Sequence, residues 1–203
     1  MVARDDPTSP YSWPAGFWVR ANLLASGSGE TVGASGTSID LTSGEDRSLL
    51  RLIRQDCDAL IVGAASIRAE GWHLPPHGHT HVVSRGSTLP WDSCPDASRV
   101  TEWQGQDGET LAMLLSRVVA HLAAAGSTSI LCEGGLATVR ALAEVNRLDE
   151  LCLTVTGTPR ADVDRAMQAV LPNATGWSLA NLREADDGST IFSIWRCATG
   201  VHS

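Results

Sequence analysis

Along the chain, short uninterrupted apolar runs alternate with segments in which apolar residues return every three or four positions, and Gly, Ser, Asp and Pro separate the two kinds. Runs of the first kind read as strands buried on both faces: FWVRANLLA (17–25), DALIVG (58–63), THVVS (80–84), STSILCE (127–133) and ELCLTVT (150–156), with a weaker one at 98–103. The periodic segments predict helices. One spans about 45–56, where Leu49, Leu50, Leu52 and Ile53 form an apolar face and Ser43 with Asp46 resembles a capping box. A second carries Leu111, Leu114, Leu115, Val118, Val119 and Leu122 and is closed by Gly126. Others cover 136–145 and ADVDRAMQAVL, and AASIRAEG adds one or two turns. GWSLANLREA and STIFSIWRC around the turn-forming DDG read as a terminal hairpin. Strands alternating with helices predict an α/β fold: a mainly parallel sheet covered on both faces, with an antiparallel pair at its end.

With 203 residues the chain suits one sizeable domain, expected over 16–203, behind an N-terminal tail, 1–15, that is expected to be mobile. MVARDDPTSPYS has no apolar run and is no secretory signal, and no window approaches the about eighteen apolar residues of a membrane span, so a cytoplasmic protein is expected. The five cysteines are widely spaced without a C-x-x-C, which argues against a disulfide framework or structural zinc. A net charge of −8 with no lysine disfavours nucleic acid and anionic membrane as partners. A small-molecule site remains, and Arg47, Arg51, Arg54, Arg68 and Arg85, falling in one third of the chain, can make it locally positive.

In such a sheet ligands bind beyond the carboxyl ends of the strands. Three strand ends are candidates. Gly63-Ala64-Ala65-Ser66 could bring backbone N–H groups and a hydroxyl to an anion, or be an ordinary strand-to-helix turn. Ser84-Arg85 offers a guanidinium for a phosphate. Glu133-Gly134-Gly135 opens a helix start either for a pyrophosphate or for close packing of helix on strand. No G-x-G-x-x-G follows a predicted strand, and neither a G-x-S-x-G elbow nor the zinc-deaminase signature occurs. His73, His77, His79 and His81 lie within nine residues but lack a carboxylate or cysteine partner at fixed spacing, so a solvated loop and no metal site are expected.

In order and spacing, ANLLASGSGE, TSGEDRSLLRLIRQDCDALIVGAASIRAEGW, VVSRG and ILCEGGLATVRALAEVNRLDELCLTVT resemble the reductase domain of the riboflavin-pathway deaminase-reductases, particularly the stand-alone pyrimidine reductase-like proteins. The resemblance spans roughly 17–156 and is strongest at 58–72 and 130–156. It implies a dihydrofolate reductase-like fold, usually a homodimer, that uses NADPH to reduce the ribosyl group of 5-amino-6-(5-phosphoribosylamino)uracil by hydride transfer to C1′. It also implies that Gly63, Ala64, Ser66 and Ile67 hold cofactor phosphates, and that Ser84 and Arg85 lie near the 2′-phosphate. Gly134, Gly135, Leu136, Ala137 and Thr138 would pack along the pyrophosphate, with the Gly134–Gly135 bond cis as in dihydrofolate reductase-like folds. Glu133 would face the junction of cofactor and substrate and is a candidate acid, and Asn22, Ser26 and Ser28 would line the substrate side.

The chain departs from the family in two places. Where the family carries S-L-D-G it reads Ser26-Gly27-Ser28-Gly29, so Ser28 replaces an expected acid, and GTPRADVDRAM replaces an apolar, Gly-Gly-containing segment. Two alternatives therefore stand beside the riboflavin-pathway reductase: a reductase with another substrate on the same scaffold, and a silent relative that binds nucleotide or only dimerises.

Overall fold

The computed structural model describes residues 9–31, 43–86, 88–157, 162–186 and 188–198. The strands are β1 (Trp18–Ser26), β2 (Ala59–Gly63), β3 (His79–Ser84), β4 (Val100–Gln104), β5 (Ser129–Cys132), β6 (Glu150–Thr156), β7 (Trp177–Glu184) and β8 (Thr190–Cys197). They form one sheet in the order β4-β3-β2-β5-β1-β6-β8-β7. The first six run parallel, and β8 pairs antiparallel with both β6 and β7. The expected mainly parallel sheet with a C-terminal antiparallel hairpin is the fold observed.

The helices are α1 (Gly44–Gln55), α2 (Ala64–Glu70), α3 (Leu111–Ala124), α4 (Leu136–Glu144) and α5 (Val163–Val170). Strand alternation sends side chains to both faces and builds two apolar layers. Val19, Ala21, Leu23 and Ala25 of β1 join Ile61, Ile130, Leu151 and the inner stripes of α3, α4 and α5. Leu60, Val62, Val82, Leu131, Phe192 and Ile194 point the other way and meet Leu49 and Ile53 of α1 and Ile67 of α2.

Helix starts and stops follow from local chemistry. Ser43 Oγ accepts from the Asp46 N–H at 3.1 Å and starts α1. Only this half of a capping box forms, because the Asp46 carboxylate turns inward to the Thr154 hydroxyl instead of back to the cap. Thr110 caps α3, and Gly126, at φ +90°, ends it as expected.

Two expectations change in detail. Of the N-terminal stretch read as a tail, 1–8 lie outside the described residues, while Tyr11 is buried and Trp13 donates to the Ile53 carbonyl of α1 at 3.4 Å. Arg20, fully buried on β1, holds this stretch by donating to the Tyr11 carbonyl at 2.7 Å, and pairs with Glu150. The histidine tract does not stay a loop. His79 and His81 belong to β3, and His81 is buried, its Nδ1 accepting from Trp103 Nε1 at 3.1 Å. Burial, followed by the charges of His79 and His121, lowers its pKa to about 4. Cys57, Cys132 and Cys152 are buried thiols.

Candidate active site

Because β3, β2, β5, β1 and β6 are neighbours and parallel, their carboxyl ends share one edge of the sheet. Gly63, Ser84, Glu133 and Ser26, far apart in sequence, are therefore brought to one side of the molecule. At its middle lies a cleft of about 620 Å³. Asn22 and Leu24 of β1 contribute to it, as do Glu133, Gly134 and Gly135 after β5, the start of α4, Ala65 and Ser66 of α2, and the face of α1 bearing Asp46, Arg47, Arg51 and Arg54.

The Glu133-Gly134-Gly135 turn has a separate structural reason for each residue. The Glu133 N–H donates to the Ile61 carbonyl of β2 at 2.9 Å, which fixes the turn to the sheet. Its carboxylate accepts from Arg54 in a fork, with Nε to Oε1 at 2.7 Å and the second nitrogen to Oε2. The two side chains are 18% and 10% exposed. Burial works against the Arg54 charge, but the Glu133 carboxylate more than offsets it and leaves the arginine pKa raised. A Cβ on Gly134 would lie 2.5 Å from Thr138 Cβ, so this glycine serves the close approach of the first turn of α4. A Cβ on Gly135 would meet nothing within 4 Å, and Gly135 caps α4 without a side-chain bond. No side chain caps the start of α4, and Leu136 and Ala137 line the cleft there. Of the two purposes weighed for the Gly-Gly pair, close packing of helix on strand is met at Gly134. Every peptide bond among the described residues is trans, Gly134–Gly135 included, which corrects the cis bond implied by resemblance.

The other expected residues divide. Asn22, Ser66, Glu133, Gly134, Gly135, Leu136 and Ala137 line the cleft. Thr138 is buried behind Gly134, and Ala64 and Ile67 turn into the apolar layer. Ser84 is buried at the end of β3 with Arg85 exposed beyond it, two strand spacings, or about 10 Å, from β5. Ser26 and Ser28 lie off the cleft, their hydroxyls 2.8 Å apart, and Ser28 also donates to Glu30 at 3.3 Å. Gly29 in the same loop lies against Ala169. Residues 32–42, part of the long loop, lie outside the described residues.

Of the five arginines offered for a locally positive site, Arg47, Arg51 and Arg54 line the cleft. Arg47, Arg51 and Arg54 are spaced i, i+4 and i+7, which places them on one helix face, and that was the available signal. Among the described residues neither Arg47 nor Arg51 forms a salt bridge. Asp46 was read only as part of a cap. It is 5% exposed and lines the cleft, and burial, aided by the Glu133 charge, raises its pKa, while the Thr154 hydroxyl and Arg47 work in the other direction. Asn22 Oδ1 is buried without a hydrogen-bond partner among the described residues.

Solved structures with this fold include a pyrimidine reductase-like protein from Corynebacterium diphtheriae, with a TM-score of 0.69 and 21% identity over 88% of this chain and 91% of that one. RibD from Acinetobacter baumannii aligns with a TM-score of 0.69 and 19% identity over 89% of this chain but 58% of its own length. The dihydrofolate reductase from Enterococcus faecalis, solved with NADP(H), aligns with a TM-score of 0.59 and 14% identity over 89% of this chain and 98% of that one. No curated protein matches the sequence. The sequence model described as the RibD C-terminal domain matches residues 17–158, from the start of the central strand β1 to just past β6, and so covers every strand end that meets the cleft. The chain belongs to the RibD C-terminal domain family, an oxidoreductase family with the dihydrofolate reductase-like fold.

Proposed function

We propose that the chain is an NADPH-dependent reductase of a phosphoribosylaminopyrimidine, with the cofactor along the ends of β5, β2 and β3 and the substrate between β1 and α1. The observation that carries this reading is the cleft itself, which sets a glycine-capped helix start against a helix face bearing two arginines that form no salt bridge among the described residues. The α4 start fits a pyrophosphate, because no side chain caps its N–H groups and Gly135 leaves its approach clear. Gly134, Leu136, Ala137 and Thr138 would shape that wall. Ser66 and the Gly63–Ile67 turn would flank the phosphates, and Ser84 and Arg85 would reach the 2′-phosphate at the outer end.

Bound NADPH would supply a hydride for C1′ of the opened, imine-like ribosyl group. The chain's own task is orientation and charge. Arg47 and Arg51 would hold the substrate phosphate, and Asn22, which lines the β1 side of the cleft, would flank the pyrimidine. Glu133 holds Arg54 at the junction of the two halves. A homodimer in the cytoplasm is part of the same proposal. Consistent with it, no helix among the described residues is long and apolar enough to cross a membrane.

Titration of the protein with NADPH and NADH, followed by tryptophan quenching, tests the cofactor half. Clear preference for NADPH, lost in Arg85→Ala, supports it, and equal losses for both cofactors refute the Arg85 assignment. One observation favours a second reading, a different substrate on this scaffold: Ser28 replaces an acid and is bonded to Ser26 and Glu30 away from the cleft. Ser28→Asp separates the two. Gain of turnover on the ribosylaminopyrimidine phosphate shows that the native chain has moved to another substrate.

A further inference from the structure

We infer that Asp46 delivers the proton this reduction consumes. The inference rests on the reductase reading above and adds to it the identity of the acid. Reduction of a C1′=N bond needs a proton at nitrogen as well as a hydride at carbon. Among the described residues three carboxylates line the cleft: Asp46, Glu70 and Glu133. Glu133 has both oxygens committed to Arg54. Glu70 lies in the last turn of α2, at the far end of that helix from the Gly63 turn.

Asp46 stands differently. It sits in the first turn of α1, packed on the sheet over Thr154 of β6, and Thr154 pairs in register with Leu24 of β1. Asn22, two residues along β1, projects to the same face as Leu24, so Asp46 and Asn22 belong to one wall of the substrate half. Among the described residues the acid has no fork-like partner to hold it ionised. The charged groups around it are Arg47 beside it, Glu133 with Arg54 across the cleft, and the Glu45–Arg183 pair at the same helix start. Burial disfavours its charged form, and the like charge of Glu133 acts in the same direction.

The step balances as follows. The Asp46 O–H bond breaks and its proton forms an N–H bond using the electron pair released from the C1′=N double bond, as hydride from the reduced nicotinamide forms the new C1′–H bond. The products are a secondary amine, an oxidised nicotinamide and the Asp46 carboxylate, which regains a proton from solvent through the cleft mouth.

Two measurements on the full chain test this. First, the Asp46 carboxyl is titrated without cofactor by carbon NMR, identified by its loss in Asp46→Asn; it should titrate above the ordinary aspartate value of 3.8. Second, single-turnover oxidation of NADPH with the ribosylaminopyrimidine phosphate is followed against pH. Wild type should lose rate as pH rises through the measured Asp46 value. Asp46→Asn should be slower by about a hundredfold or more, the usual range for a lost general acid, with NADPH affinity unchanged. Thr154→Val, which removes the hydroxyl that favours the carboxylate, should move the NMR titration and the rate limb to higher pH together. A structural aspartate would leave that limb where it is. An Asp46 that titrates at its ordinary value, an Asp46→Asn variant with wild-type rate, or a limb unmoved in Thr154→Val overturns the inference and leaves the reductase reading standing. Bound NADPH with no turnover of the pyrimidine by wild type overturns the substrate reading, and the proton role with it.

Discussion

Removal of Arg54 tests whether the Arg54–Glu133 fork sets the geometry of the cleft. Arg54→Met keeps the aliphatic stem but leaves a carboxylate that is 10% exposed with neither oxygen paired. Breaking a fully buried pair costs about 3–5 kcal/mol, whereas an exposed one is worth less than about 1 kcal/mol. With side chains 18% and 10% exposed, this pair lies between those limits, and a loss of about 2–3 kcal/mol is expected. For a domain of this length that lowers Tm by about 4–12 °C. Glu133→Gln alone, whose amide can still accept one hydrogen bond, should cost about 1–2 kcal/mol. The double variant Arg54→Met/Glu133→Gln buries no unpaired charge and should lose no more than about 1 kcal/mol, which gives a coupling energy of at least about 2 kcal/mol. Urea and thermal unfolding followed by tryptophan fluorescence supply all four corners of the cycle. Losses that simply add in the double variant, or an Arg54→Met loss below about 1 kcal/mol, would show that the fork does not hold the turn.

Gly134→Ala places a methyl group 2.5 Å from Thr138 Cβ and should cost about 1–3 kcal/mol and weaken NADPH binding, while Gly135→Ala meets nothing and should cost no more than about 1 kcal/mol as a poorer helix cap; denaturation and cofactor titration compare them. Because the folded state raises the Asp46 pKa, it holds a proton there more tightly than the unfolded chain does, so stability should fall as pH rises from the ordinary aspartate value of 3.8 toward the folded one; Asp46→Asn should flatten that decline in Tm against pH. His81 has the opposite sign: with its pKa lowered to about 4 from 6.5, the unfolded chain takes up the proton first, and stability should fall as pH drops from about 6.5 to about 4, a slope reduced in His81→Asn. Thermal scans across that window decide it.

Much of the fold was legible because its signals are local. The buried strands are short apolar runs with Gly or polar residues at their ends, and α3 repeats Leu and Val at helical spacing behind the Thr110 cap. The Glu133-Gly134-Gly135 turn was visible for the same reason, since a carboxylate and two glycines at a strand-to-helix junction are a local oddity. The pairing of Glu133 with Arg54, 79 residues earlier, was not, because nothing in the sequence states which strand ends become neighbours.

By itself the sequence determined the order and kind of the elements, the α/β class and the strand ends at which chemistry should be sought, since periodicity, caps and turn residues act within a few positions. Only the tertiary structure decided that β5 lies between β2 and β1. That strand order carries the Glu133 turn to α1, gives Arg47 and Arg51 a cleft to face, moves Ser28 off it, and turns Asp46 from a helix cap into a buried acid lining that cleft. The physical reason is that burial and charge pairing depend on distance in space, and both exist only once the parallel strands have aligned their carboxyl ends along one edge.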